Sequence, residues 1–137
     1  GYARLTAPDQ LPDGQQKAAR DITDAMTRHP EMVAGTGGFC SDLMRNTQGK
    51  LIGKIGAEGV YCIGIRNNNT GMAVKLEDGN MNRLPPVVIE VLKQLNVLTQ
   101  KELKALDDYH VMDTLNDVGQ KVGSIRPVFR LKRVQQS

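Results

Sequence analysis

The residues with the clearest chemical potential lie in one run, Gly53-Lys54-Ile55-Gly56-Ala57-Glu58-Gly59, where a lysine near the end of an apolar stretch is followed by Gly-x-x-Gly. A phosphate-cradling loop would place its lysine after the second glycine, followed by Ser or Thr, so this run is not a P-loop. Spacing alone leaves Lys54 two roles: an ammonium presented to a reacting group, or a side chain snorkelling from a strand edge. Among the other ionisable groups, His29 precedes Pro30 at a helix end, where the dipole favours an imidazolium, and His110 lies in a polar stretch. Both read as structural or surface residues. Cys40 and Cys62 show neither a CxxC spacing nor a Cys/His cluster, so zinc-finger and disulfide-scaffold readings lack their pattern and buried free thiols are expected. Cys40 follows a glycine-rich segment and carries a second reading, a thiol lining a site. Glu77 and Asp78 form a carboxylate pair on paper, but with Gly79 and Asn80 they supply turn chemistry, and a turn is the expectation.

A Lys-x-Gly sequence at a strand end resembles the Lys-Thr-Gly strand of penicillin-recognising serine enzymes, which borders the nucleophile. Those enzymes also need Ser-x-x-Lys, because a lysine amine one helical turn from the serine accepts or relays the hydroxyl proton. Ser41, Ser124 and Ser137 are the serines of this chain, and none has a lysine three residues later. If Lys54 serves such chemistry, the nucleophile lies elsewhere.

The elements that must position these residues follow from periodicity. Asp13 offers an N-cap to a helix whose apolar face carries Ala18, Ile22, Ala25 and Met26, and His29-Pro30 stops it. The glycines of residues 31–38 make a regular element unexpected there, and Phe39, Leu43 and Met44 predict a short helical turn around Cys40. Residues 51–55, 60–65 and 72–76 are β-rich, with a turn signal at Asn67–Gly71, and predict a three-stranded antiparallel unit. The middle strand is apolar on both faces and should be central and covered on both sides. Leu84, Val87, Val88, Val91, Leu92 and Leu95 hold helical spacing without a miss, with Pro85 and Pro86 tolerable only in a first turn. Thr99 and Glu102 form a capping box for a further helix through Leu103 and Leu106, and residues 122–134 read as one or two strands broken at Pro127. The fold class is therefore α/β in the α+β sense, an antiparallel sheet flanked by helices.

Bulk properties narrow the function classes. At 137 residues with 39% hydrophobic content, the chain forms one domain or part of one. No apolar run approaches the roughly 20 residues of a membrane span, and no basic-then-apolar leader opens the sequence, so a soluble cytoplasmic protein without membrane partners is expected. The net charge of +3 and pI near 9.0 come from scattered lysines and arginines, and aromatic residues make up only 4%, which argues against a nucleic-acid groove.

Taken together, the segments His29–Gly35, Phe39–Met44, Gly53–Val60 and Ala73–Gly79 resemble, in order and spacing, the Rhizobium-type L-asparaginases, which are unrelated to the two-threonine bacterial asparaginases. The match extends through Arg83–Val87 to Asn116–Gly119 and Val122–Pro127, about three-quarters of the chain, and the Lys54–Val60 element is its most specific part. The resemblance implies a fold like serine β-lactamases and penicillin-binding proteins, of which this chain is the C-terminal half. The N-terminal half of family members supplies Ser-x-x-Lys, together with cysteine-containing segments that bind zinc in some members. The opening Gly1–Leu5, with no initiator Met, reads as the end of a helix already begun. By resemblance, Lys54 matches the active-site lysine, Cys40 a cysteine near the zinc-linked part of the site, and Gly56, Ala57 and Glu58 line the substrate pocket. The substrate implied is L-asparagine, cleaved to aspartate and ammonia through a serine acyl-enzyme. No cofactor is expected in this chain itself, zinc entering only through the other half, and the expected partners are that half or a second copy in a homo-oligomer. One departure is the run Val33-Ala-Gly-Thr-Gly-Gly38, where the resemblance leads one to expect a more polar residue before Phe39. The rival reading is a non-catalytic module that keeps the fold for regulation or partner binding.

Overall fold

Three β-rich runs separated by glycine and asparagine turns fold as expected. In the computed structural model, which describes residues 1–66 and 68–134, β1 (Leu51–Gly56), β2 (Val60–Ile65) and β3 (Thr70–Lys75) form an antiparallel sheet in the order β1-β2-β3. Part of the predicted turn, Asn67, lies outside the described residues. Lys54 pairs with Cys62 and Cys62 with Ala73, while Ile52, Gly64 and Gly71 align one step along on the same face. The chain divides into two compact units, Gly1–Leu84 and Pro85–Ser137.

In the first unit the central strand is covered on both faces by the chain's own helices. Helix α1 (Tyr2–Thr6) lies flat on one face because that face is glycine there. A Cβ at Gly64 would come within 2.5 Å of Thr6 Cγ2, and one at Gly71 within 2.7 Å of the Ala3 backbone nitrogen. The other face carries Leu51, Tyr61, Ile63 and Ile65, all buried, and receives α4 (Phe39–Asn46), whose Leu43 and Met44 are fully buried and whose Phe39 ring tilts against Tyr61 at 5.3 Å. The cover that an apolar central strand requires thus comes from within this unit.

Helix α2 (Asp13–Arg28) ends before His29-Pro30 as expected, but its buried positions are Ala19 and Thr23, whereas Ala18, Ile22 and Ala25 are exposed. The predicted face is off by about one residue. Thr23 can be buried because its hydroxyl donates to the Arg20 carbonyl at 3.0 Å, so helical back-bonding hides polarity that residue type alone advertises. Asp13 lies inside the helix, with Pro12 at the cap. Residues 31–38, expected to be irregular, contain a single helical turn, α3 (Glu31–Ala34), which the left-handed Gly35 terminates. Gly38 explains its own presence: an added Cβ would sit 2.2 Å from the Ala34 carbonyl oxygen.

In the second unit, α5 (Leu84–Gln94, whose first residue closes the first unit) buries Val88, Ile89, Val91 and Leu92, with Pro85 and Pro86 in the first turn, where missing amides cost nothing. Leu95 falls beyond the helix and is exposed. The capping box of α6 (Gln100–Ala105) is complete: Glu102 N–H donates to Thr99 Oγ1 at 3.2 Å and Thr99 N–H to Glu102 Oε2 at 2.7 Å. A further turn, α7 (Asp107–His110), leads into β4 (Met112–Leu115), which pairs with β5 (Lys121–Ile125). Strand structure ends before Pro127, so the expectation of strand out to residue 134 holds only for its first part. Beyond the proline the segment is tied by side chains: Gln94 Nε2 donates to the Phe129 carbonyl at 2.9 Å and Leu131 N–H to Gln94 Oε1 at 2.8 Å. The same Gln94 donates to Glu90 Oε1 at 2.7 Å, and His110 Nε2 lies 2.7 Å from Glu90 Oε2. Burial pushes the Glu90 carboxyl upward, but the hydrogen bonds from Gln94 and His110 and the charges of Lys93 and His110 outweigh it and hold the carboxyl below its usual range.

Candidate functional site

The backbone phase of β1 decides what Lys54 can do. Arg66 N–H donates to the Lys50 carbonyl at 3.0 Å, so Lys50, Ile52, Lys54 and Gly56 bond to β2 while Leu51, Gly53 and Ile55 turn their amides and carbonyls outward. β1 is an edge strand, and outward groups on an edge need partners. At Ile55 both are supplied by side chains singled out in the sequence: its N–H donates to Cys40 Sγ at 3.3 Å, and its carbonyl accepts from Lys54 Nζ at 2.8 Å. Lys54 and Cys40 are thereby brought to one residue from opposite sides of the sheet edge. Lys54 is half-buried, with its ammonium beside the strand rather than extended into water.

Gly56, Ala57 and Glu58 form the end of β1 and the turn into β2, two to four residues beyond Lys54. Glu58 (φ 57°) and Gly59 (φ 74°) are both left-handed, and a Cβ on Gly59 would meet the Gly79 backbone at 3.0 Å, so the second glycine of the motif is required by the turn. Ala57 and Glu58 are exposed; Lys75 Nζ contacts the Glu58 carbonyl and Leu76 N–H donates to the Gly59 carbonyl at 2.8 Å, which ties the turn to β3 and its exit.

Cys40 is 1% exposed and stands behind Ile55, whereas Cys62, expected to be buried, is half-buried. Its position opposite Lys54, at the rim of the face that α1 covers only in part, is the reason. Tyr2, at the start of α1, has its phenol pKa raised by burial first and then by the Cys62 and Cys40 thiols. Ser41 is buried and donates to the Pro30 carbonyl at 2.7 Å, a structural bond; Ser124 lies in β5, and Ser137 lies outside the described residues. Asp78 accepts from Asn80 N–H at 3.0 Å and from Arg83 at 2.9 Å, the turn expected of that segment. Among the described residues no group of three or more His, Cys, Asp or Glu is placed to hold a metal ion. Among the same residues no helix is long and apolar enough to cross a membrane.

A family model described as L-asparaginase II matches residues 1–127. The chain belongs to the L-asparaginase II family. Among the described residues that match takes in every strand and helix, the Lys54 edge included. No curated protein matches the chain. Membership makes this an asparaginase-type amidohydrolase sequence, with asparagine as the substrate the family implies.

One residue of this L-asparaginase II chain escaped sequence reasoning. Tyr61 is fully buried, its hydroxyl has no hydrogen-bond partner, and an added Cβ at Gly53 would lie 2.6 Å from that hydroxyl. The legible signal was the glycine: Gly inside a strand marks a close approach, and Tyr61 is what approaches.

Proposed function

We propose that the chain supplies one wall of a serine-dependent L-asparaginase active site, with Lys54 as its catalytic cation and with the nucleophilic serine and its paired lysine on residues outside this chain, in an N-terminal half of Rhizobium-type organisation and β-lactamase-like fold. The serine attacks the side-chain amide carbonyl of L-asparagine while its paired lysine accepts the hydroxyl proton. As the tetrahedral intermediate collapses, the C–N bond breaks, the amine takes a proton and leaves as ammonia, and water then hydrolyses the acyl-enzyme to aspartate. Lys54, fixed at the sheet edge, orients and stabilises the oxyanion. The turn Gly56–Glu58 borders the substrate, and Cys40 supports the edge from behind.

The observation that carries this reading is the Lys54 ammonium held by the Ile55 carbonyl at 2.8 Å on the outward edge of β1, in a chain whose family is that of L-asparaginases. A snorkelling lysine would extend into solvent; this one folds back onto the strand. The test is Lys54→Met in the intact enzyme, which keeps the stem and removes the charge. Ammonia release should fall on the order of 100- to 1,000-fold, as for loss of one preorganised electrostatic group. Lys54→Arg keeps the charge but in a planar fork, and should recover only part of the rate. With circular dichroism reporting an unchanged fold, turnover of Lys54→Met within about threefold of the parent, roughly 0.65 kcal/mol, refutes the assignment. On its own the chain should release no ammonia from asparagine, and addition of the half bearing Ser-x-x-Lys should restore activity.

A further inference from the structure

We propose that residues 127–134 form a strap closed onto α5 through the Gln94 side chain, and that the Glu90–His110 pair is its latch, fixing which way the Gln94 amide points. The inference is independent of the catalytic role proposed above for Lys54.

Three observations carry it. The first is how the strap is held. Gln94 Nε2 donates to the Phe129 carbonyl at 2.9 Å and Gln94 Oε1 accepts from Leu131 N–H at 2.8 Å, so one side chain takes the place of a neighbouring strand across residue 130. Among the described residues no other hydrogen bond or ion pair ties residues 127–134 to the rest of the chain. The second is how little of the strap is packed. Val128, Arg130 and residues 131–134 are exposed, Pro127 and Phe129 are half-buried, and residues 128–131 line a cavity of about 570 Å³ together with Glu90 and Gln94. A segment with so few buried contacts opens locally while its neighbours stay folded.

The third is what orients the clasp. An amide can turn either its oxygen or its nitrogen to a neighbour, and one orientation alone serves here. Glu90 Oε1 accepts from Gln94 Nε2 at 2.7 Å, which leaves the amide oxygen for Leu131 N–H. Reversal would set that oxygen against the carboxylate and the Phe129 carbonyl, and the amide nitrogen against Leu131 N–H. Glu90 Oε2 lies 2.7 Å from His110 Nε2, and the two side chains are 14% and 15% exposed, so the pair is shielded from bulk water. An ionised carboxylate only accepts and enforces the orientation; a protonated one can donate to the amide oxygen and allows the reverse. Lys93 of the same helix faces Glu90 with Nζ at 3.6 Å, and Arg130 of the strap lines the shared cavity. Lys104 of α6 and Asp107 of α7 line a second cavity with Lys93 and His110. Burial raises the Glu90 pKa, but the hydrogen bonds from Gln94 and His110 and the charges of Lys93 and His110 outweigh it and bring it below the usual range. The latch therefore holds at neutral pH and opens as the pH falls through that lower value.

The experiment is hydrogen exchange of the intact enzyme, followed by mass spectrometry and expressed as protection factors so that the intrinsic pH dependence of exchange drops out. In the parent, the Leu131 amide should be protected at neutral pH and lose that protection below about pH 4.3, while the α5 amides of Val88–Leu92 keep theirs. Gln94→Ala should lower Leu131 protection at neutral pH about tenfold, as for loss of a hydrogen bond of ordinary net strength, and leave α5 unchanged. Glu90→Gln, whose side chain can accept or donate, should give a smaller loss at neutral pH and no further loss in acid. His110→Ala deprives the carboxylate of a stabilising partner and should move the acid loss to higher pH. An unprotected Leu131 in the parent at neutral pH, or undiminished protection in Gln94→Ala, refutes the strap. Loss of α5 protection in Gln94→Ala makes Gln94 a support of the helix instead and also overturns it. An acid loss that survives in Glu90→Gln, that takes α5 with it in the parent, or that does not move in His110→Ala refutes the latch.

Discussion

Replacing Gly53 by alanine tests the geometry beneath β1 without any assumption about chemistry. The new methyl carbon would lie 2.6 Å from Tyr61 Oη and 3.0 Å from both Leu43 Cδ2 and Tyr61 Cε1. Carbon contacts are comfortable at about 3.5–4.0 Å, so the overlap is on the order of half an ångström or more on two sides. Neither neighbour can swing into solvent, because Tyr61 and Leu43 are each 0% exposed. Overpacking of this kind costs about 1–3 kcal/mol. Against it, the loss of glycine's extra freedom in the unfolded chain returns about 0.4–1 kcal/mol. The net is a destabilisation of about 1–2 kcal/mol. For a cooperative unit the size of Gly1–Leu84, that corresponds to a fall in Tm of roughly 5–15 °C. Thermal melts followed by circular dichroism read it directly. The double variant Gly53→Ala/Tyr61→Phe removes the closest contact and should recover part of the loss, while the two carbon contacts keep it below the parent. If Gly53→Ala melts within about 1 °C of the parent or above it, the packing of Tyr61 under β1 is wrong.

The two cysteines should separate by accessibility: a thiol reagent applied to the native chain should modify Cys62, which is half-buried, and reach Cys40, 1% exposed, only after denaturation. Equal fast labelling of a Cys62→Ser variant would contradict this. The Glu90 carboxyl, held below its usual range by Gln94, His110 and Lys93 against the cost of burial, contributes stability that is present above the unfolded-state value of about 4.3 and is lost as pH falls through the lower folded value. Glu90→Gln should therefore flatten the acid limb of a stability-versus-pH curve below about pH 4.3, and an unchanged acid limb would show that the carboxyl is not differentially stabilised on folding.

What the sequence determined by itself was the set of elements whose signal is local. The strands around Lys54 declare themselves through β-branched residues and glycine-asparagine turns, α5 through an unbroken helical stripe with prolines in its first turn, and α6 through its capping box. The place of Lys54 near the end of a strand was legible for the same reason, since it lies in the β-rich run that forms β1. The tertiary structure decided everything that depends on a partner. Which face of α2 is buried could not be read, because Thr23 hides its hydroxyl in the helix and Ile22 meets solvent, a choice made by what packs beside them. Strand β4 was missed because its residues are mostly exposed and carry no alternation; it exists through pairing with β5. The junction of Cys40, Ile55 and Lys54 spans 15 residues of sequence and is set by hydrogen-bond phase along an edge strand, a quantity that no residue type encodes. Tyr61 read as one more strand aromatic until Gly53, diagonal to it on the neighbouring strand, gave its hydroxyl a place.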